Sequence, residues 1–281
     1  MRFGGLVATI LPWRIPMSGV LDDAELWQRI LALRGGGATA ALTEVPRQAD
    51  VGLTALLPLY LPLAQRPRDR CCAVAHLGQS LDGRIATAAG ASRWVTGEAD
   101  LLHTHRMRAL ADAVVVGAGT VRHDDPQLTV RRCLGTQPVR VVIDSERRLG
   151  ADYRIFQDGA APTLVLAAAD RVRPGERLGR AEILPLPRGA DGGLAPGEIR
   201  RVLAARGLAL LFIEGGGITI SRFLVAGALD RLQLTVAPVI LGSGRPSLSL
   251  PEIAEPCQGL RPRLRRFSLG EDMLYECIFR D

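Results

Sequence analysis

The chain has no lysine, so all 35 of its basic side chains are arginine, and its formal net charge is +6. A basic chain can bind nucleic acid. Here the arginines are scattered along the sequence and aromatic residues make up only 4% of it, which leaves no stacking platform for bases. We therefore expect no nucleic-acid partner. Arginines grouped around a pocket would instead suit a phosphorylated small molecule.

Cysteine is also scarce. The five cysteines form no CxxC pair, which argues against a disulfide framework and against a cysteine-based zinc site. No apolar run approaches the roughly 20 residues that cross a bilayer, and the N-terminal stretch shows no small-residue cleavage site. The sequence thus predicts a cytoplasmic protein with no metal site and no membrane partner.

Short apolar runs recur from residue 71 onward, with helical patterns between several of them. This alternation predicts an α/β domain whose central sheet is mostly parallel and flanked by helices. Strands are predicted at 71–76, 113–117, 139–144, 163–168, 208–214 and 232–240, and helices at 98–110, 196–206 and 217–227. The last run, "MLYECIF" at 273–279, predicts an antiparallel edge strand.

The first 70 residues differ in texture from the rest. A helix is predicted over 22–33, a GGG break follows at 35–37, and prolines interrupt the apolar pieces up to residue 67. The charged stretch at 64–70 is typical of a linker. We therefore predict a small N-terminal appendage of unknown role over 1–70 and the main domain over 71–281.

Three glycine-bearing turns follow predicted strands, at 116–121, 214–221 and 241–247. Ligands of open α/β sheets bind beyond the carboxyl ends of the strands, where glycine lets the backbone approach a phosphate. The strongest candidate is "EGGGITIS" at 214–221, although each turn can equally be structural. Since neither a Walker A motif nor a full GxGxxG is present, a P-loop NTPase and a standard Rossmann domain are disfavoured.

Two further segments carry polar side chains in compact patterns. "GQSLDGRIAT" at 78–87 is either a polar turn or the wall of a ligand site, with Asp82 in a structural role. In "GTVRHDDPQLTVR" at 119–131, the DDP triplet presents a carboxylate at a turn, or is only a capped surface turn. By the same reasoning, His76 can be a satisfied core histidine, and Arg108 can belong to a solvated helix face.

As a set, "LGQSLDGRIAT", "SRWVTG", "RMRALADAVVVGAGTVRHDDPQLTVR", "PVRVVIDS" and "IEGGGITISRFLVAGALDRLQLTVAPVILGSG" resemble the reductase domain of the bifunctional riboflavin-biosynthesis deaminase/reductase. The resemblance runs from about residue 71 to 245. It implies a dihydrofolate-reductase-like fold, NADPH as cofactor, a homodimer, and reduction of the ribose C1 of a ribosylaminopyrimidine 5′-phosphate.

The same resemblance implies which residues bind the two ligands. The implied NADPH contacts are Gly78, Trp94, Thr120, Asp124, Ser145, Gly216, Gly217, Ile218, Thr219, Ile220, Ser221 and Arg222. The implied substrate contacts are His76, Ser92, Arg108, Leu128, Arg131 and Glu214. Two arginines and a serine can hold a phosphate through charge-assisted hydrogen bonds. Asp124 is the hypothetical catalytic residue, assisting proton movement as the sugar ring opens.

Two departures from this family bear on function. Nothing matches the HxE and PCxxC signature of the zinc deaminase half, so a reductase alone is expected. His76 stands where members of the family commonly carry lysine, which leaves the substrate less certain than the fold. A dihydropterin or dihydrofolate reductase and a non-catalytic NADPH-binding regulator therefore remain as alternatives.

Overall fold

A ten-stranded sheet forms the centre of the computed structural model, which describes residues 22–34 and 52–280. A second sheet of two short strands lies beside it. The strands are β1 (Cys72–Ser80), β2 (Arg84–Thr87), β3 (Ala113–Gly117), β4 (Val139–Ile143), β5 (Thr163–Ala168), β6 (Arg177–Leu178), β7 (Ala181–Leu186), β8 (Leu210–Glu214), β9 (Arg231–Ala237), β10 (Gly244–Pro246), β11 (Arg263–Leu269) and β12 (Asp272–Ile278).

The order across the large sheet is β11-β12-β9-β1-β8-β3-β4-β5-β7-β6. The seven strands from β9 to β7 pair in parallel. At the two ends β12 and β6 run in the opposite direction, and β11 pairs antiparallel with β12. Parallel strands covered on both faces read as continuous apolar runs, and six of these seven lie at predicted strands; β7 was not predicted. The predicted α/β class with a mostly parallel sheet is confirmed.

The predicted edge strand needs a correction. The segment "MLYECIF" does form an antiparallel strand, β12, but β11 pairs with its outer side and takes the edge position. The sequence of β11, "RLRRFSL", contains three arginines, and four of its seven residues are exposed. It therefore offers no apolar run from which a strand could be predicted.

Helices cover both faces of the sheet. They are α1 (Asp23–Ala32), α2 (Leu57–Ala64), α3 (Glu98–Leu110), α4 (Ala118–Asp124), α5 (Arg154–Gln157), α6 (Pro196–Ala205) and α7 (Gly217–Val225), with short 3-10 turns at Thr54–Leu56, Ala169–Arg171 and Pro256–Gln258. Successive strand residues point to opposite faces. Accordingly Val74 packs in the cluster under α1 to α5, and Ala73 and Ala75 in the cluster under α6 and α7.

The described residues of the 1–70 segment pack on the face of the sheet that α3, α4 and α5 also cover. Leu26 and Trp27 of α1 and Tyr60 of α2 share a buried cluster with Met107 of α3. The Trp27 indole donates to the carbonyl of Leu134 at 2.8 Å. Thus α1 and α2 cover α3, whereas the predicted GGG break at 35–37 lies outside the described residues. The division of the chain at residue 70 stays a prediction.

Candidate active site

One large cavity, of about 780 Å³, lies at the carboxyl ends of the central strands. It is the place where open parallel sheets bind their ligands. Twelve of the sequence-predicted site residues line it, namely His76, Gly78, Ser92, Thr120, Asp124, Ser145, Glu214, Gly216, Gly217, Ile218, Thr219 and Arg222. The fold therefore gathers most of the predicted site, from segments spread over 147 positions (76 to 222), around one space.

The glycine turn after β8 forms one wall of this cavity. Gly216 caps α7 with a φ of +68°, a left-handed conformation that side chains rarely adopt. A Cβ on Gly217 would lie 2.2 Å from the Ser247 carbonyl oxygen. These glycines bring the first turn of α7 to the cavity, where helix N–H groups favour a phosphate. The turn thus meets a structural need and also forms a candidate phosphate site.

The glycine turn after β3 opens α4 beside α7. A Cβ on Gly117 would lie 2.4 Å from Thr219 Oγ1, and one on Gly216 would lie 2.9 Å from Thr120 Oγ1. The two helix starts therefore meet, with hydroxyl groups between them. At the other end of α4, the paired aspartates separate: Asp124 lines the cavity, while Asp125 forms an ion pair with Arg154, with Nε and Oδ2 2.9 Å apart.

The segment at 78–87 forms a wall together with the third glycine turn. Strands β2 and β10 pair with each other, and residues of both line the cavity. Asp82 ties the two segments, because its carboxylate accepts from the Ser80 hydroxyl at 2.6 Å and from the Gly242 amide at 2.7 Å. The hydrogen bond from Ser80 is the largest of the effects that lower the pKa of Asp82 to about 2.

The floor of the cavity contains a buried pair that the sequence did not reveal. His76 of β1 lies with its Nε2 2.9 Å from Oδ1 of Asp100, which belongs to α3. The hydroxyls of Thr96 and Thr235 donate to the same carboxylate, at 2.7 and 2.6 Å. Asp100 lies 24 positions from His76, and only the packing of α3 on β1 brings them together. In the sequence, the one sign of this arrangement is that Thr96 and Asp100 lie four residues apart at the start of a predicted helix.

A second histidine packs against this pair. The His103 ring centre is 5.2 Å from that of His76. Its Nδ1 accepts from the Tyr60 hydroxyl at 2.7 Å, and its Nε2 donates to Gln233 at 3.0 Å. Burial, reinforced by His76, lowers the pKa of His103 to about 3, so this ring is neutral.

Arg108 and Glu214 form a buried ion pair beside the floor. The guanidinium donates from Nε and Nη2 to the two carboxylate oxygens at 2.6 and 2.7 Å, and from Nη1 to the Thr129 carbonyl at 3.0 Å. Glu214 lines the cavity, but Arg108 is not among the lining residues. In this arrangement Arg108 orients Glu214, and a phosphate contact by Arg108 stays a prediction.

Five other predicted residues also lie off the cavity lining. Arg131 is exposed and donates to the Thr129 hydroxyl, and Leu128 is buried in the core. Trp94 is 76% exposed next to the lining residue Val95. Ile220 is buried in the second core cluster, and the Ser221 hydroxyl accepts from the Ser249 amide at 2.8 Å. The side chains of these last two support the wall instead of facing the cavity.

Two cationic residues on the lining were not predicted. Arg148 follows β4, on the turn that also presents Ser145, and Arg245 belongs to β10. Both side chains are exposed at the cavity margin. No pattern in the sequence distinguishes them from the other arginines, since their place depends on how the turns fold.

Comparison with known proteins agrees with this geometry. The model of the RibD C-terminal domain family matches residues 73–272. The 2,5-diamino-6-ribosylamino-4(3H)-pyrimidinone 5′-phosphate reductase of Methanothermobacter thermautotrophicus is 37% identical over 213 residues, which cover 72% of this chain and 95% of that protein. The riboflavin biosynthesis protein RibD of Bacillus amyloliquefaciens is 37% identical over 165 residues, covering 58% of this chain and 44% of that protein. The chain thus spans about half the length of the RibD proteins it matches.

Solved structures share the fold. A deaminase and 5-amino-6-(5-phosphoribosylamino)uracil reductase from Thermotoga maritima superposes with a TM-score of 0.65 at 25% identity, over 80% of this chain and 61% of that one. RibD of Acinetobacter baumannii gives a TM-score of 0.62 at 26% identity, over 80% and 62% of the respective chains. The resemblance inferred from the motifs is confirmed: this chain belongs to the RibD C-terminal domain family.

Proposed function

We propose that this protein is an NADPH-dependent reductase that converts the ribose of a ribosylaminopyrimidine 5′-phosphate into a ribityl chain. The observation that carries the proposal is the cavity itself, in which a glycine-led helix start and a buried polar floor face the same space. A relative that this chain covers almost completely is named as a reductase of a ribosylaminopyrimidinone 5′-phosphate.

The wall of the cavity formed by the start of α7 is suited to bind the cofactor. The first turn of α7 offers backbone N–H groups to a pyrophosphate, and Thr120 and Thr219 offer hydroxyls. We assign the ribose 2′-phosphate of NADPH to the turn after β4, where the Ser145 hydroxyl and the Arg148 guanidinium lie on the cavity margin. When bound, NADPH supplies the hydride that reduces the sugar carbon.

The substrate would take the opposite part of the cavity, above His76 and Glu214. Because Arg108 engages both oxygens of Glu214, that carboxylate stays oriented and can accept hydrogen bonds from the hydroxyl or amino groups of the substrate. Ser92 lies on the cavity lining, where it can donate to the phosphate. Holding both reactants in this geometry supplies much of the rate enhancement.

Asp124 is the proposed acceptor of a proton as the sugar ring opens. It ends α4 and lines the cavity, with its carboxylate exposed to solvent. Asp124→Asn removes the basic oxygen and keeps the shape of the side chain. We therefore expect kcat to fall by about 10²-fold or more, with the Kd for NADPH almost unchanged. Comparable losses in both quantities would make Asp124 a binding residue.

The test is to follow the absorbance of the reduced nicotinamide with the purified chain. One cuvette holds NADPH with the ribosylaminopyrimidine 5′-phosphate, a second holds NADPH with dihydrofolate, and a third replaces NADPH by NADH. We expect oxidation in the first cuvette alone. Oxidation with dihydrofolate alone would assign the protein to the pterin reductases. NADPH binding without oxidation in either cuvette would favour a regulator.

A further inference from the structure

His76 presents one ring nitrogen to the protein and leaves the other without a partner. Its Nε2 lies between Asp100 Oδ1 at 2.9 Å and Thr235 Oγ1 at 3.3 Å. A carboxylate only accepts, so Nε2 carries a hydrogen. No described residue makes a hydrogen bond with Nδ1. Since the ring lines the cavity, Nδ1 is the atom whose proton can be passed to a ligand.

Asp100 is built to remain ionised. Its side chain is almost fully buried, which by itself would raise the pKa of a carboxyl group. Against this, it accepts three hydrogen bonds, from Thr96, Thr235 and His76. These donors and the charge of His76 outweigh burial and hold the pKa of Asp100 below its ordinary value. A fixed negative charge thus lies against the imidazole.

The other titratable groups around His76 are either neutral or joined in ion pairs with one another. They are His103 of α3, the Arg108–Glu214 pair between α3 and β8, and the Arg231–Glu276 pair between β9 and β12. Burial disfavours the charged imidazole, but Asp100, assisted by Glu214, raises the pKa of His76 above its ordinary value overall. The protonated ring is lost as the pH rises through that raised pKa.

We propose that His76 is the proton donor of the reduction and that Asp100 is the positioning residue that orients it and keeps it protonated. This inference rests on the proposed function. As the bond between C1 and the ring oxygen of the ribosylamine breaks, its electron pair stays on oxygen, which takes the proton from His76 Nδ1. The glycosylamine nitrogen forms a double bond to C1 and releases its proton to Asp124. Hydride from NADPH then reaches C1, the nitrogen regains its proton, and His76 is reprotonated by water.

The test compares three variants with the wild type in pH profiles of kcat and KM, with NADPH binding measured in each to establish folding. Wild-type kcat falls about tenfold per pH unit above the pKa of His76. H76Q keeps a hydrogen-bonding side chain but cannot donate a proton in this way. It lowers kcat by about 10² to 10⁴-fold and abolishes the alkaline fall, while KM stays within about threefold.

D100N supplies a separate readout and keeps the inference testable if H76Q does not fold. Loss of the carboxylate lowers the pKa of His76, so the alkaline fall moves to lower pH. R206M, which changes an exposed arginine that is not among the residues lining the cavity, serves as the control and keeps the wild-type pH dependence. An H76Q enzyme within tenfold of the wild type, or a D100N profile that does not move, overturns the inference alone. A wild type that does not oxidise NADPH with the pyrimidine removes the proposed function, and this inference with it.

Discussion

Arg108→Met tests whether the ion pair beside the cavity is a structural element. Both side chains of the Arg108–Glu214 pair are only about a tenth exposed, at 10% and 11%, and two short hydrogen bonds join them. Methionine retains an apolar stem of similar length and removes the guanidinium. The variant therefore leaves the Glu214 carboxylate, and the Thr129 carbonyl, without their donor.

The magnitude follows from what is left unpaired. Removing one partner of a buried ion pair costs about 3–5 kcal/mol, because the other charge stays buried. Glu214 also lines the cavity, where water reaches it, so we expect a cost near the lower bound, about 3 kcal/mol. At roughly 2–4 °C per kcal/mol, Tm falls by about 6–12 °C.

Urea unfolding and thermal melting of three variants measure this cost. The matched control is R206M, because the Arg206–Glu182 pair has a similar length, 2.7 Å, but side chains that are 41% and 45% exposed. We expect a cost below about 1 kcal/mol there. The double variant R108M/E214L, which removes both charges of this buried pair, should recover most of the stability that R108M loses. A cost for R108M no larger than that of R206M would refute the reasoning.

Three further outcomes are expected. Gly78→Ala places a Cβ 2.7 Å from Thr96 Cγ2, which costs about 1–3 kcal/mol in urea unfolding; T96S should relieve it, and equal losses in both backgrounds would contradict this contact. Asp82→Ala leaves the Gly242 amide without its acceptor and lowers the free energy of unfolding. Because the pKa of Asp82 is about 2, thermal melts should show the wild type as more stable than the variant above the ordinary carboxyl pKa, and this difference should disappear as the pH falls through about 2. A difference in stability that does not change with pH would exclude the carboxylate as its source. Arg148→Ala should raise the Kd for NADPH by about 10- to 100-fold and leave the Kd for NADH unchanged, whereas equal rises would assign the 2′-phosphate elsewhere.

The sequence predicted the elements that carry their own signal. Strands β3 and β5 have the predicted bounds, 113–117 and 163–168, because they are short apolar runs buried on both faces. Strand β11 escaped prediction because four of its seven residues, three arginines and a serine, are polar and interrupt any apolar run. Helix α4 did too, since its seven residues, "AGTVRHD", are too few to show a helical period.

The site residues likewise fall into those that the sequence could predict and those that it could not. Glycine turns and hydroxyls that follow strands could be predicted, because the ends of parallel strands meet at one edge of the sheet. Asp100 could not, because its role depends on which face of α3 packs against β1. Arg108 illustrates the converse: its type and place suggested a phosphate ligand, and the structure pairs it with Glu214. Composition and order give the members of a site, whereas partner choice among charged groups needs the packing.

The cover that α1 and α2 give to α3 has a consequence for how this protein can be divided. The family match begins at residue 73, yet the hydroxyl on His103, which supports His76 from behind, comes from Tyr60. A fragment cut at that boundary would expose Met107 and the rest of the apolar face to water, which invites aggregation. It would also free His103 to turn. The buried contacts of the cavity floor therefore include residues on both sides of the boundary at which the family match begins.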